Sequence, residues 1–214
     1  MKVFFIFLLI LLAGCATARH GIYEDNYYAV ASWYGSDFHG RPTSSGEIFN
    51  MYALTCAHKE YPFGTELKIT SVSTNKTVCC RVNDRGPFVK GRDIDLSYAA
   101  AKEIGIIEQG VGKVKIEHIG RDSRYIKEVT YSSDTGPFTI QVGSFRELSN
   151  AERLKDALKL KYSKIYIIKT EIKGDEYYRV RIGKFYAKDK VYKIAKRLAD
   201  EGYNVFITTY TEKI

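Results

Sequence analysis

The sequence predicts two units in series, a small all-β barrel followed by an α+β sheet of βαββαβ order, and three observations predict it. Between Ala29 and about Gly120, short β-rich stretches (YAVASWYG, GTELKITSV, TVCCRV) alternate with turn signals (SSG, STNK, NDRG), as in a small barrel. From Pro137 onward the chain repeats itself at a spacing of 40 residues. The formal charge divides at the same place. From Cys15 to Gly136, 15 Lys and Arg balance 15 Asp and Glu, whereas from Pro137 to Ile214 there are 17 against 10, a net charge of +7. Summed basic charge bears on partners rather than fold, and here it points to an anionic polymer or surface.

The chain opens with Lys2 and an apolar run from Val3 to Ala13, the anatomy of an export signal. That run is shorter than the roughly 20 residues a helix needs to span a bilayer. The tetrad Leu12-Ala13-Gly14-Cys15 resembles a bacterial lipobox. The resemblance implies removal of residues 1–14 and acylation of Cys15, which becomes the lipid attachment holding the mature protein to a membrane. Several acyl chains anchor stably where one does not, at about 0.8 kcal/mol per buried methylene. Ala16 after the cysteine favours the outer membrane, so the expected location is its inner, periplasmic face. Residues 15–28 read as a tether.

The barrel is expected over residues 29–120. Its one helical stretch is Ser97 to Ile104, where Ala99, Ala100 and Ala101 favour a helix and Gly105 ends it. Residues 121–136, polar and rich in Asp, Ser and Thr, read as a flexible linker. Besides Cys15 there are Cys56 and the adjacent Cys79 and Cys80. Neighbours on a strand point to opposite faces, so one of the pair can face Cys56, as a disulfide or as buried thiols. No Cys/His cluster has metal-ligand spacing, so neither a metal ion nor a cofactor is expected.

The second unit covers residues 137–214. Ile140-Gln141-Val142-Gly143-Ser144-Phe145 aligns with Val180-Arg181-Ile182-Gly183-Lys184-Phe185, Leu154 and Leu158 with Ile194 and Leu198, and Ile165-Tyr166-Ile167 with Val205-Phe206-Ile207. Each copy reads strand, helix, strand, and two copies side by side make one sheet backed by two helices. Ala151, Leu154, Leu158 and Val191, Ile194, Leu198 follow helical spacing and should face the sheet.

The segments ASWYG (31–35), SSGE (44–47), ALTCAH (53–58), PFGT (62–65), RVNDRGPF (81–88) and DIDLSYAAA (93–101) resemble the RlpA (rare lipoprotein A) family. The resemblance implies a double-psi β-barrel and lytic transglycosylase activity on peptidoglycan. A glycosidic bond needs an acid for the leaving oxygen and charge near the developing cation, and carboxyl groups supply both. A lytic transglycosylase replaces water with the sugar's own 6-hydroxyl, giving a 1,6-anhydro product, so one well-placed acid can suffice. Asp84, after a strand at the NDRGP turn, is the expected acid, although an Asp there also suits turn formation. The resemblance adds Glu47, to orient or stabilise the cation, and His58, to hydrogen-bond a carboxylate and hold its geometry. Tyr34 and Trp33 offer faces on which sugars stack, and Arg85 is the candidate for a muramic acid carboxylate. Cys56 stands where the family commonly has Ala.

FTIQVGSF (138–145), SNAERL (149–154) and YYRVRIGKF (177–185) resemble the SPOR domain, which implies binding to septal peptidoglycan stripped of its peptide stems. A stripped strand carries a free lactyl carboxylate on each muramic acid, so a unit of charge +7 is drawn to it. The candidate contacts are Gln141 and Ser144 on the first repeat strand, Arg179 and Arg181 on the third, and Phe145 and Tyr178 for stacking. Alternation puts Arg179 and Arg181 on one face and Tyr178 on the other, so all cannot meet one ligand. Stripped glycan strands are thus the expected ligand, with the membrane and division-machinery proteins as further partners. Two readings compete with this one. A non-catalytic scaffold would use the barrel only to hold peptidoglycan. RNA binding, which a basic βαββαβ sheet with aromatics also suits, is set aside because export removes nucleic acid from reach.

Overall fold

The computed structural model describes residues 26–133 and 135–211, so the export segment, Cys15 and most of the tether lie outside the described residues. Six strands form the first unit: β1 (Asn26–Trp33), β2 (Thr55–His58), β3 (Thr65–Ser71), β4 (Thr77–Asp84), β5 (Ile94–Leu96) and β6 (Val111–Arg121). They close into a barrel in the order β1-β5-β2-β4-β3-β6. The pairs β1/β5 and β2/β4 are parallel and the remainder antiparallel. Alternation fills the interior: Leu67, Ile69, Val82, Ile94, Leu96, Val114 and Ile116 are fully buried. Helix α1 (Tyr98–Ile104) starts where the Ser97 hydroxyl accepts from the Ala100 N–H at 3.1 Å and stops at Gly105 in the left-handed conformation, φ 76°. Cys56 and Cys80 meet inside the barrel as neighbouring thiols, while Cys79 points out.

The second unit contains β8 (Phe138–Phe145), α2 (Leu148–Lys159), β9 (Ile165–Ile172), β10 (Asp175–Phe185), α3 (Lys188–Asp200) and β11 (Val205–Thr209). The helices lie on one face of the sheet. Ala151, Leu154, Leu158, Val191 and Leu198 are buried there, with Ile194 half-buried at the margin.

The segment 121–136 is more ordered than a flexible linker. Strand β6 runs on to Arg121, a 3-10 turn follows at Ser123–Tyr125, and β7 (Val129–Tyr131) pairs in parallel with β11. The sheet therefore has five strands, ordered β7-β11-β8-β10-β9.

The two units are docked. The Phe63 N–H donates to the Glu201 carbonyl at 2.9 Å, the Lys127 N–H to the Ala199 carbonyl at 2.9 Å, and Lys161 Nζ to the Glu60 carbonyl at 3.1 Å. Arg121 bridges the Phe63 and Asp200 carbonyls at 3.0 and 2.5 Å. Two glycines permit the approach. A Cβ on Gly64 (φ 83°) would lie 2.5 Å from the Tyr125 ring, and one on Gly202 (φ 97°) 2.9 Å from Phe63 Cβ.

Candidate active site

The segment from Gly40 to Asn50 folds back on itself through the Pro42–Ile48 bridge and the Thr43 N–H to Glu47 carbonyl bond of 2.7 Å. This turn lies over the end of β4, with the Ser45 N–H donating to the Asn83 carbonyl at 3.3 Å. It thereby brings the Ser44 N–H onto Asp84 and the Glu47 carboxylate onto the side chain of the neighbouring Asn83. Asp84 is 5% exposed. Its Oδ1 accepts two backbone N–H groups, from Ser44 at 2.8 Å and Arg85 at 2.7 Å. Its Oδ2 is less engaged, with the Tyr34 hydroxyl at 3.3 Å and the Arg153 guanidinium, from α2 of the second unit, at 4.0 Å. Burial and the Asp84 charge push the Tyr34 phenol well above its ordinary value, so it stays a protonated donor.

Glu47 is half-buried and fully supplied: Arg81 donates at 2.8 Å, Asn83 Nδ2 at 2.8 Å, and the Tyr125 hydroxyl also donates. Asn83 and Asp84 are consecutive, so the strand end that carries one carboxylate also positions the other.

His58 behaves differently from the expectation. The Glu60 and Tyr61 N–H groups both donate to its Nδ1, at 3.1 and 3.0 Å, which leaves the proton on Nε2, 3.0 Å from the Tyr27 hydroxyl. Burial, reinforced by the positive charges of Arg85, Lys59 and Lys161, pushes its pKa down to about 3. It is thus a neutral ring that ties the loop after β2 to β1, with hydrogen bonds to a phenol and two backbone amides where a carboxylate was expected.

Arg85 also departs from the expectation. It is 3% exposed and turned towards the second unit, with Nε donating to the Tyr203 hydroxyl at 2.7 Å and Nη1 to the Tyr61 carbonyl at 2.9 Å. Its guanidinium stacks 3.7 Å from the Phe63 ring centroid. In this position the group joins the two units, and its buried Nη2 has no partner among the described residues. Tyr34 packs against Phe38 and Phe49, with centroids at 5.6 and 5.0 Å, and Trp33 against Tyr98 at 5.8 Å.

One acidic residue went unassigned in the sequence. Asp95, on β5, stands across Ala57 of β2 from Asp84. Burial raises its pKa, which the Ser32 hydroxyl and Arg92 partly offset. An Asp between two buried apolar residues in the strand Ile94-Asp95-Leu96 was the available signal.

On the second unit, a bulge at Val142 decides which side chains share a face. Arg179 pairs with Ser144 and Arg181 with Gln141, so these four lie on the side away from the helices, together with Tyr166 and the half-exposed Phe206. Phe145 and Tyr178 pair with one another on the helix side and pack on the core. Arg181 donates to Thr211 Oγ1 at 3.1 Å and Gln141 Oε1 at 3.4 Å. The buried Nε atoms of Arg179 and Arg181 have no partner among the described residues.

A family model described as lytic transglycolase, a double-psi β-barrel family, matches residues 28–116, and a SPOR domain model matches residues 134–209. Endolytic peptidoglycan transglycosylase RlpA of Vibrio cholerae is 35% identical over 184 residues, covering 86% of this chain and 69% of that protein. The chain belongs to the RlpA family. Its closed barrel is a double-psi β-barrel and its α+β unit a SPOR domain. The RlpA of Helicobacter pylori strain J99 is 35% identical over 194 residues, and the chain spans 61% of that relative's length. The solved SPOR domain of Pseudomonas aeruginosa RlpA is 26% identical, with a TM-score of 0.28, covering 32% of this chain and 95% of that one.

Proposed function

We propose that this member of the RlpA family is an endolytic lytic transglycosylase that cuts the MurNAc–GlcNAc bond of peptidoglycan strands stripped of peptide, with Asp84 as the acid. The observation that carries the reading is the asymmetry of the Asp84 carboxylate. Oδ1 is occupied by two backbone N–H groups, while Oδ2 has only the long Tyr34 contact and Arg153 at 4.0 Å. A proton on Oδ2 passes to the glycosidic oxygen as the C1–O bond breaks. The 6-hydroxyl of the same muramic acid then closes on C1, its proton leaving to the carboxylate, which restores the acid. Glu47 adds negative charge near the cationic centre, held in place by Arg81, Asn83 and Tyr125. His58 supports the barrel end as a neutral structural ring. Gln141, Ser144, Arg179 and Arg181 hold the strand on the open face of the SPOR sheet. The lipid on Cys15 keeps the enzyme at the inner face of the outer membrane, and SPOR binding enriches it at the septum beside the division machinery.

The second reading, a non-catalytic scaffold, is favoured by one observation. Asp84 is 5% exposed and sits under Arg153 of the SPOR unit, so a strand reaches Oδ2 only when that side chain moves. Digestion of sacculi and stripped strands by wild type and Asp84→Asn, with products read by mass spectrometry, separates the readings. Anhydro ends from wild type alone support the transglycosylase. Water-terminated ends indicate a hydrolase, and release by neither indicates the scaffold.

A further inference from the structure

Two cavities flank the turn that carries Glu47, and both have walls from both units. The first, about 210 Å³, lies between Ser44, Ser45 and Gly46 of the barrel and Gln141, Ser144, Phe206 and Asn204 of the SPOR unit. The second, about 490 Å³, lies between Glu47, Arg81, Arg124, Tyr125 and Lys127 on one side and Asn204 on the other. They share Ser45, Gly46 and Asn204 as a common wall. The seam is close: a Cβ on Gly46 would stand 3.6 Å from Asn204 Nδ2.

We propose that the two cavities are one binding site, a groove across the seam that takes a single carboxylate-bearing glycan strand from the SPOR sheet to the Glu47 side of the barrel. The inference rests on the proposed function and adds to it a ligand path that neither unit has alone. Polarity supports this direction. At the sheet end, Gln141 and Ser144 offer hydrogen bonds to hydroxyls, Phe206 offers a ring face, and Arg181 beside Gln141 has its Nε unpartnered. At the barrel end, Arg81 is already engaged by Glu47 and Arg124 by Asp122. That leaves Lys127, whose ammonium is 3.4 Å from the Arg124 carbonyl and 5.9 Å from the Tyr125 ring centroid, as the cation for a lactyl carboxylate.

The test is calorimetric binding of the full chain to peptide-free muramyl oligosaccharides from disaccharide to octasaccharide, with chito-oligosaccharides of the same lengths, which lack the carboxylate. Affinity is expected to rise with length well beyond the tetrasaccharide, and chito-oligosaccharides should bind at least about tenfold more weakly. Lys127→Glu and Asn204→Trp, both changes at the accessible seam, should each weaken the octasaccharide about tenfold and leave the disaccharide unchanged, whereas Arg181→Ala weakens both. Unchanged octasaccharide affinity in the Lys127 and Asn204 variants, with the Arg181 effect present, overturns the shared groove and leaves the proposed function standing. Equal binding of chito-oligosaccharides overturns the carboxylate recognition, and no binding of any oligosaccharide by wild type sinks both proposals.

Discussion

The two site carboxylates of the barrel and the two arginines of the SPOR sheet are completed in opposite ways. In the barrel, Asp84 Oδ1 and Glu47 already hold short donors from Ser44, Arg85, Arg81 and Asn83, fixed by backbone or by strand position. On the sheet, Arg179 and Arg181 bury Nε atoms with no partner among the described residues. A buried donor left unmet costs about 1–3 kcal/mol. The site carboxylates of the barrel are therefore held before any ligand arrives, whereas the two sheet arginines keep an unmet nitrogen, as Arg85 Nη2 and Arg92 Nε do in the barrel. Preorganised charge suits a chemical step, and unmet donors suit recognition.

The contrast can be broken at its strongest point first. Asp84→Asn keeps the shape but removes the acid, and turnover on stripped strands should fall by about a thousandfold or more, read as released anhydro ends, while strand affinity changes less than about twofold. Next is stability against pH. His58 has its folded pKa pushed down to about 3, below the roughly 6.5 of the unfolded chain, so the unfolded state takes up a proton that the barrel refuses. The stability this gives is present in full above pH 6.5 or so and drains away below it, by about 3 kcal/mol at pH 4, and urea titrations across that range should show the slope. His58→Gln should flatten it. Tyr203→Phe leaves Arg85 Nε without its acceptor at the docking surface and should cost about 2 kcal/mol in thermal unfolding, with the fold retained. Smallest is Arg181→Ala, which should weaken binding of stripped strands about tenfold, worth about 1.4 kcal/mol, and reduce the salt dependence of binding, without changing the yield from a saturating substrate.

Much of this was legible in the sequence, for reasons that differ by element. Strands β1, β3 and β4 were readable because alternation is a local consequence of burying one face, and α1 because Ser97 and Gly105 bracket three alanines. The SPOR fold was readable because its two copies carry the same apolar positions 40 residues apart. Asp84 and Glu47 were named from motifs, but the hydrogen bonds that hold each of them depend on a turn that crosses the end of β4. Strand β7 was missed because an edge strand of three residues, Val129-Thr130-Tyr131, is too short and too polar to show alternation. The docking was missed because it uses the carbonyls of Glu60, Phe63, Ala199, Asp200 and Glu201, which every residue type possesses. Arg85 illustrates the same limit, since nothing in NDRGP distinguishes an arginine facing a sugar from one facing Tyr203. The sheet faces were undecided because one bulge, at Val142, changes the parity of every later residue on β8.

The recruitment of β7 into the sheet leaves only residues 122–128 to join the barrel to the SPOR unit. Seven residues extend to at most about 25 Å. If the docking contacts open to admit a strand to Asp84, neither unit can diffuse away, and the effective concentration of one for the other remains in the millimolar range. With the proposed activity, a glycan end released by the barrel is still in reach of the sheet, so successive cuts along one strand should outnumber cuts on fresh strands.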